Sequence, residues 1–165
     1  MRTVHSRPRI MWADALVPRG RRGRSTREAD LGSASRRTIV RGATLGAMTR
    51  DEVLVICLNL PGAEETYPFG DEVAVMKVGG KMFALVPLFG EPGSVNLKCD
   101  PGLALELREA YPGIRPGYHQ NKRHWNTVDL DGSVEDDVVR GLIADSYNLV
   151  VAGLPRSIRV ELARD

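Results

Sequence analysis

The residues best suited to chemistry lie in one stretch, from Arg115 to Trp125. Its permanent cations Arg115, Lys122 and Arg123 alternate with imidazole, aromatic and amide side chains, namely Tyr118, His119, Gln120, Asn121, His124 and Trp125. Guanidinium and ammonium groups suit phosphate contacts, and aromatic rings suit base stacking. The stretch predicts a loop that binds nucleic acid, and the alternative is a solvated loop with a buried tryptophan. Three phosphate contacts would lose only roughly 40-fold in affinity between 50 and 200 mM salt, so we expect weak binding.

Other kinds of chemistry have less support. His119 and His124 lie five positions apart, so a metal site would need a third ligand from the acidic loop at 64–72. Adjacent carboxylates are typical of solvated loops, and no serine lies in a nucleophile elbow. Gly79-Gly80 is explained as a hairpin turn rather than a phosphate cradle. We predict no metal, no cofactor and no enzyme; catalysis by a histidine as general base is the least favoured function.

A binding pocket for a small ligand or a protein partner is the alternative to DNA binding. Its lining would be aromatic with a polar rim. The candidate residues are Tyr67, Phe69, Tyr118, His119 and Trp125. A contiguous positive surface would favour DNA, whereas a concave aromatic pocket with mixed charge would favour the ligand.

Charge divides the 165-residue chain into two parts. Residues 1–47 contain eleven Arg and no Lys against three acids, a net charge of +8, while residues 48–165 contain twelve basic and eighteen acidic residues, a net charge of −6. The first part is rich in Gly, Ser, Ala and Pro, so we expect a disordered arm. Such an arm could bind nucleic acid or serve as a targeting peptide. The favoured interpretation is upstream sequence included by a wrongly assigned start codon, with the native protein beginning at Met48.

Residues 48–165 are therefore predicted to be one folded domain in the cytoplasm. No stretch approaches the roughly 18 apolar residues of a membrane span, and Asp14 interrupts the apolar segment that a secretory signal would need. Cys57 and Cys99 have neither CxxC spacing nor nearby metal ligands. We interpret them as small buried apolar residues in a reducing compartment.

Capping signals and turns predict the first half of this domain. Thr49 and Glu52 form a capping box for a helix at about 50–59, and an acidic aromatic loop follows. Gly79-Gly80 joins antiparallel strands at 73–78 and 81–88. A strand at 94–98 should then direct apolar side chains to the core and Ser94, Asn96 and Lys98 to water, leaving one sheet face wet.

The second half alternates helices with one strand. Asp100 caps a short helix, the polar loop follows, and a strand spans about 124–130. Ser133 with Asp136 is a second capping pair, for a helix at about 134–152, and the chain ends in a short helical segment. The apolar stripe of the long helix is Val138, Val139, Leu142, Ile143, Leu149 and Val150. This order predicts an α+β fold, an antiparallel sheet with helices packed on one face.

The domain from Met48 to Asp165 contains a series of distinctive short motifs. The most specific are Arg115-Pro116, His119, Lys122, His124-Trp125 and Leu130-Asp131-Gly132, which occur in that order. Further motifs are Pro61-Gly62-Ala63-Glu64-Glu65, Lys77, Phe83-Ala84, Asn96-Leu97-Lys98, Pro101, Thr127-Val128, Ser146-Tyr147 and Leu154-Pro155. With these motifs, the domain resembles the MmcQ/YjbR family.

The resemblance implies a small bacterial cytoplasmic protein with a CyaY-like fold, similar in architecture to frataxin. It also implies DNA binding through wing-like hairpins, with the Gly79-Gly80 hairpin as a wing tip. The DNA contacts carried over by position are Lys77, Lys81, Lys98, Arg115, His119, Lys122, Arg123 and His124. A domain of net charge −6 repels phosphate unless these cations converge on one surface.

Overall fold

The computed structural model describes residues 47–164, which form four helices and six strands. The helices are α1 (Arg50–Leu58), α2 (Pro101–Ala110), α3 (Asp136–Ala152) and α4 (Arg156–Leu162). The strands are β1 (Ala63–Thr66), β2 (Val73–Val78), β3 (Lys81–Pro87), β4 (Ser94–Lys98), β5 (Ile114–Pro116) and β6 (Trp125–Asp129). The arm predicted for residues 1–47 lies, except for its last residue, outside the described residues.

All six strands form one antiparallel sheet in the order β1-β2-β3-β4-β6-β5. The predicted hairpin is confirmed: Val78 pairs with Lys81, and Gly79 and Gly80 adopt φ values of 55° and 74°. Glycine takes such positive φ values without steric cost. A side chain at Gly79 would also collide with Leu154, so α4 and its connection pack against this turn.

The core lies between the helices and one face of the sheet. Alternate strand residues enter one buried cluster with helix residues: Ala74, Met76, Val78, Ala84, Val86, Val95, Leu97 and Val128 from the strands, and Val53, Cys57, Leu107, Val139, Ile143 and Val150 from the helices. The strand residues between these point to the other face of the sheet, away from this core, and they include a small separate cluster of Val75, Leu85 and Trp125. The predicted α+β fold with an antiparallel sheet is confirmed.

The two predicted caps at the start of α1 and α2 are confirmed. The Thr49 hydroxyl accepts a hydrogen bond from the Glu52 amide at 3.2 Å, and the Glu52 carboxylate accepts one from the Thr49 amide at 2.8 Å. The carboxylate of Asp100 accepts from the amides of Gly102 and Leu103. These contacts satisfy amide groups that the first turn of a helix leaves without partners.

Two strands occur where loops were predicted. β1 contains Glu64 and Glu65 and was interpreted as part of an acidic loop, yet it is an edge strand of the sheet. Charged residues are common on edge strands because they discourage pairing with other chains. β5 is only three residues long, lies at the opposite edge of the sheet and ends at Pro116. Proline has no amide hydrogen to donate, but an edge strand tolerates this because it pairs on one side only.

The predicted cap and stripe of α3 need correction. The helix begins at Asp136, its N-cap is Glu135 and no side chain bonds to the cap. The Ser133 amide and hydroxyl instead donate to the carboxylate of Asp131, at 2.9 and 2.5 Å, so a local turn occupies the predicted cap residue. Leu149, predicted in the apolar stripe, is 43% exposed.

Candidate nucleic-acid interface

The sheet face that points away from the helices, called the far face, carries polar and cationic residues from several strands. The register aligns Lys77 with Glu64, Lys98 with Trp125, and Asn96 with Thr127. Asn96 was predicted to face water, but it is only 5% exposed, and its side-chain oxygen accepts a hydrogen bond from the hydroxyl of the buried Thr127. The amide and the hydroxyl therefore satisfy each other, which permits their burial.

Strand direction brings several cations to one end of the sheet. Lys77 lies near the end of β2, Lys81 begins β3 and Lys98 ends β4. Since these strands are antiparallel neighbours, all three residues lie at the same end, where Trp125 also begins β6. The ammonium nitrogen of Lys98 is 5.7 Å from the centre of the Trp125 ring, within reach of a cation–π interaction.

The predicted cationic loop joins β5 to β6 at this same end. A hydrogen bond of 2.8 Å from the Gly117 amide to the Trp125 carbonyl closes it, and residues 118–124 form the loop. The Asn121 side chain accepts from the Arg123 amide at 3.0 Å, and the Asn121 carbonyl accepts from the His124 amide. His119 has a φ of 54°, a left-handed conformation that histidine tolerates better than bulkier residues. Local hydrogen bonds therefore define the shape of the loop.

Arg108 of α2 anchors this loop, a role that no local sequence pattern indicates. Its Nε donates to the Asn126 side-chain oxygen at 2.8 Å, and one terminal nitrogen donates to the carbonyls of Lys122 and, at 3.2 Å, of Trp125. One guanidinium thus joins α2 to the C-terminal part of the cationic segment and to the start of β6. An arginine with its charge engaged in this way is a positioning residue for the loop.

A buried polar chain also connects the sheet to the loop. The Thr127 hydroxyl donates to the Asn96 side chain and accepts from the Tyr118 amide at 2.9 Å. Thr127 is only 1% exposed. The backbone of Tyr118 is consequently held by the sheet, although the residue as a whole is 64% exposed.

Ser146 of α3 completes the end of the sheet beside Lys98. Its buried hydroxyl donates to the carbonyl of Phe83 at 2.5 Å and accepts from the amide of Lys98 at 2.8 Å. The register pairs β3 with β4 only at Ala84–Leu97 and Leu85–Asn96, so the hydroxyl supplies the contacts that a longer ladder would have made. Sequence reasoning assigned Ser146 no role beyond the family resemblance.

The predicted cationic residues differ in how far their charge is engaged. Arg115 forms an ion pair of 2.7 Å with Asp129, and this hydrogen bond raises the pKa of Arg115 above its ordinary value. Its charge is therefore largely compensated. Within residues 47–164, the other predicted cations form no ion pair with a carboxylate; these are Lys77, Lys81, Lys98, Lys122 and Arg123. His119 and His124 are exposed in the same loop.

Acidic residues concentrate at the opposite end of the sheet. This acidic end comprises the loops before β2, between β3 and β4, and between β6 and α3, and carries Asp71, Glu72, Glu91, Asp131, Glu135, Asp136 and Asp137. The basic end carries the five cations that form no ion pair within residues 47–164, and it also carries Arg156 and Arg159, since α4 packs beside the Gly79 turn. Its acids include Glu64, Asp100, Asp145 and Glu161. The domain is thus electrostatically polarised along its strands.

The alternative pocket is not assembled. Tyr67 and Phe69 follow the edge strand β1 at the acidic end, whereas Tyr118 and His119 follow β5, the opposite edge strand, at the basic end. Five strand spacings of about 4.8 Å separate those edges, about 24 Å across the sheet. The five predicted lining residues therefore do not share one pocket.

Both cysteines are buried free thiols, as predicted. Burial raises the pKa of Cys57 to about 12 and, together with the nearby carboxylates of Asp100 and Asp145, that of Cys99 to about 11. Among residues 47–164, no three His, Cys, Asp or Glu side chains are grouped so that they could hold a metal ion. No helix in that range has the length and apolar character needed to cross a bilayer.

These features define a class of small α+β protein: a six-stranded antiparallel sheet, helices on one face, and a clamped cationic loop between its last two strands. The YjbR family profile matches residues 58–149, more than half of the chain. The chain belongs to the YjbR (MmcQ) family, as the resemblance of its Arg115–Gly132 segment indicated.

Relatives and solved structures agree with this assignment. The chain is 38% identical over 112 residues to the uncharacterized protein YjbR of Escherichia coli K12, covering 68% of this chain and 95% of that protein. It is 44% identical over 101 residues to the uncharacterized protein YbdF of Escherichia coli O157:H7, covering 61% and 83% respectively. The crystal structure of Deinococcus radiodurans protein DR2400, a DUF419 domain, superposes with a TM-score of 0.66 at 43% identity, over 70% of this chain and 88% of that one.

Proposed function

We propose that this domain is a non-enzymatic, cytoplasmic DNA-binding protein of bacteria that holds the phosphate backbone weakly through its basic end. The proposal is supported by the location of Lys77, Lys81, Lys98, Lys122 and Arg123, which antiparallel connectivity brings to the same end of the sheet. None of these charges is compensated by an ion pair within residues 47–164. Cations that no carboxylate neutralises are what phosphate contacts require.

Charge polarisation supports the proposal despite the net charge of −6 for residues 48–165. Repulsion of phosphate by the acidic end depends on its distance from the bound strand. The basic end can approach DNA while the acidic end remains on the other side of the domain, a strand length away. Local charge rather than net charge then determines the interaction.

The number of cations sets the expected salt dependence. Five phosphate contacts at a slope of about −0.9 each give a total slope of about −4.5, a loss of roughly 500-fold in affinity between 50 and 200 mM salt. Arg115 is excluded from this count because its guanidinium group forms an ion pair with Asp129. Since contacts to phosphate carry no sequence information, we expect little preference among DNA sequences.

Fluorescence anisotropy with a labelled duplex that carries a single-stranded overhang tests the proposal, using a chain shortened to residues 48–165. Replacing both Lys122 and Arg123 by alanine should reduce the salt slope by about 1.8. Arg140→Ala, which removes an exposed cation of α3 near Glu52, is the matched control and should leave the slope unchanged. No binding near 50 mM salt, or binding only by chains that retain residues 1–47, would contradict the proposal.

A protein partner at the acidic end is a second candidate function. Phe69 and Phe89 are 60% and 71% exposed in neighbouring loops, which the hydrogen bond from the Leu88 amide to the Glu72 carbonyl joins. Exposed aromatic residues beside acids suit a basic polypeptide. Replacing both phenylalanines by serine should leave DNA affinity unchanged and abolish binding of such a partner.

A further inference from the structure

Tyr118 combines an exposed ring with a fixed backbone. The residue is 64% exposed, yet its amide donates to the Thr127 hydroxyl at 2.9 Å, and Thr127 is in turn bonded to Asn96 inside the sheet. The neighbouring Gly117 amide bonds to the Trp125 carbonyl at 2.8 Å. A tyrosine that served only the core would bury its ring, whereas this one presents an aromatic surface from a rigid base.

The surroundings of the ring leave aromatic surface available. His119 packs against it with ring centres 4.0 Å apart and planes inclined at 66°, an edge arrangement rather than a stacked one. The seven-residue loop of Tyr118 also contains Lys122 and Arg123, and the Arg108 guanidinium holds the carbonyl of Lys122. A flat apolar surface therefore lies beside cations whose own backbone is anchored.

We propose that the basic end binds unpaired nucleic acid, with a single nucleobase stacked on Tyr118 while Lys122 and Arg123 contact the flanking phosphates. The proposal rests on the DNA-binding function proposed above and specifies its substrate class. Inside a duplex, both faces of each base are covered by neighbouring base pairs, so an exposed tyrosine ring has nothing to stack on. A single strand offers both a base face and adjacent phosphates, and this is the combination that a stacking platform in a positive groove recognises.

Two oligonucleotides with equal numbers of phosphates separate stacking from charge. One is a twelve-residue oligothymidine, and the other has the same backbone with abasic sugars throughout. The full chain is used, because phosphate contacts from the arginines of residues 1–47 are common to both probes. Full-chain protein should prefer oligothymidine by roughly 5- to 150-fold, the range for loss of one aromatic–base stack. Tyr118→Ala should remove this preference by weakening only oligothymidine binding, and Tyr118→Phe should retain it.

The variants distinguish failure of this inference from failure of the proposed function. If both probes bind equally and the double alanine variant of Lys122 and Arg123 weakens both, the domain binds phosphate but no base stacks on Tyr118. If that double variant changes neither affinity, the DNA-binding proposal itself fails. If oligothymidine is preferred and Tyr118→Ala retains the preference, another ring is the platform and the assignment of Tyr118 is overturned. Circular dichroism checks that the variants remain folded.

Discussion

Arg108→Met removes the clamp between α2 and the cationic loop while keeping an unbranched apolar stem in place. Three acceptors lose the hydrogen bond from Arg108, and they differ in whether another donor can replace it. The Trp125 carbonyl still accepts from Gly117, and the Lys122 carbonyl can turn to water, but the buried side-chain oxygen of Asn126 loses the partner provided by Nε. An unsatisfied buried acceptor costs about 1–3 kcal/mol, so the free energy of unfolding should fall by about 2 kcal/mol.

Urea denaturation followed by far-ultraviolet circular dichroism measures this loss, and amide hydrogen exchange of peptides covering 117–124 measures release of the loop. The matched control is Arg123→Met, the same substitution at an exposed side chain of that loop, which should change stability by less than about 0.5 kcal/mol. Arg108→Lys keeps the charge but cannot reproduce the planar fork, so it should resemble the methionine variant. If Arg108→Met unfolds with wild-type stability and loop exchange is unchanged, the clamp has no energetic role.

Three further perturbations test other contacts. Ser146→Ala should lower stability by about 2–4 kcal/mol in urea, because the buried amide and carbonyl that it bridges both lose a partner; a loss below about 0.5 kcal/mol would contradict the bridge. Arg115→Ala should cost less than about 1 kcal/mol, since its pair with Asp129 is half exposed on the arginine side; a larger loss would show that the pair supports the sheet. With pKa values of about 12 and 11, Cys57 and Cys99 should resist a thiol reagent at pH 8 until urea is added, and rapid reaction of the folded protein would contradict their burial. Because the unfolded chain ionises these thiols from about pH 8.5 while the folded chain keeps them protonated, stability should fall as pH rises from about 9 to 11.

Features set by neighbouring residues were predictable from sequence. The capping box at Thr49, the Asp100 cap and the Gly79-Gly80 hairpin each depend on groups within a few positions of one another. Features set by tertiary contact were not. Arg108 meets its three acceptors 14–18 positions further along the chain, and no local pattern distinguishes it from a solvated helix arginine.

The same distinction applies to the sheet. Alternation assigned Asn96 correctly to the face opposite Val95 and Leu97, but its burial depends on Thr127 of a strand 31 positions away. The acidic pair Glu64-Glu65 has the composition of a loop, and it forms an edge strand because it pairs with Lys77 and Met76 of β2. Local composition therefore misjudges a short strand whose stability comes from pairing.

Polarisation along the strands shows why net charge is a poor guide to what this domain binds. A six-residue strand spans about 20 Å, whereas the screening length at 0.15 M salt is about 8 Å. A phosphate at the basic end is therefore separated from the acids of the opposite end by more than two screening lengths, and it interacts mainly with the lysines and arginines beside it. The charges were sorted by antiparallel connectivity, which returns the ends of β2 and β4 and the β5–β6 loop to one side. A net charge summed over the sequence cannot reveal this separation of basic and acidic ends, because the sum contains no information on strand direction, which determines where each cation lies.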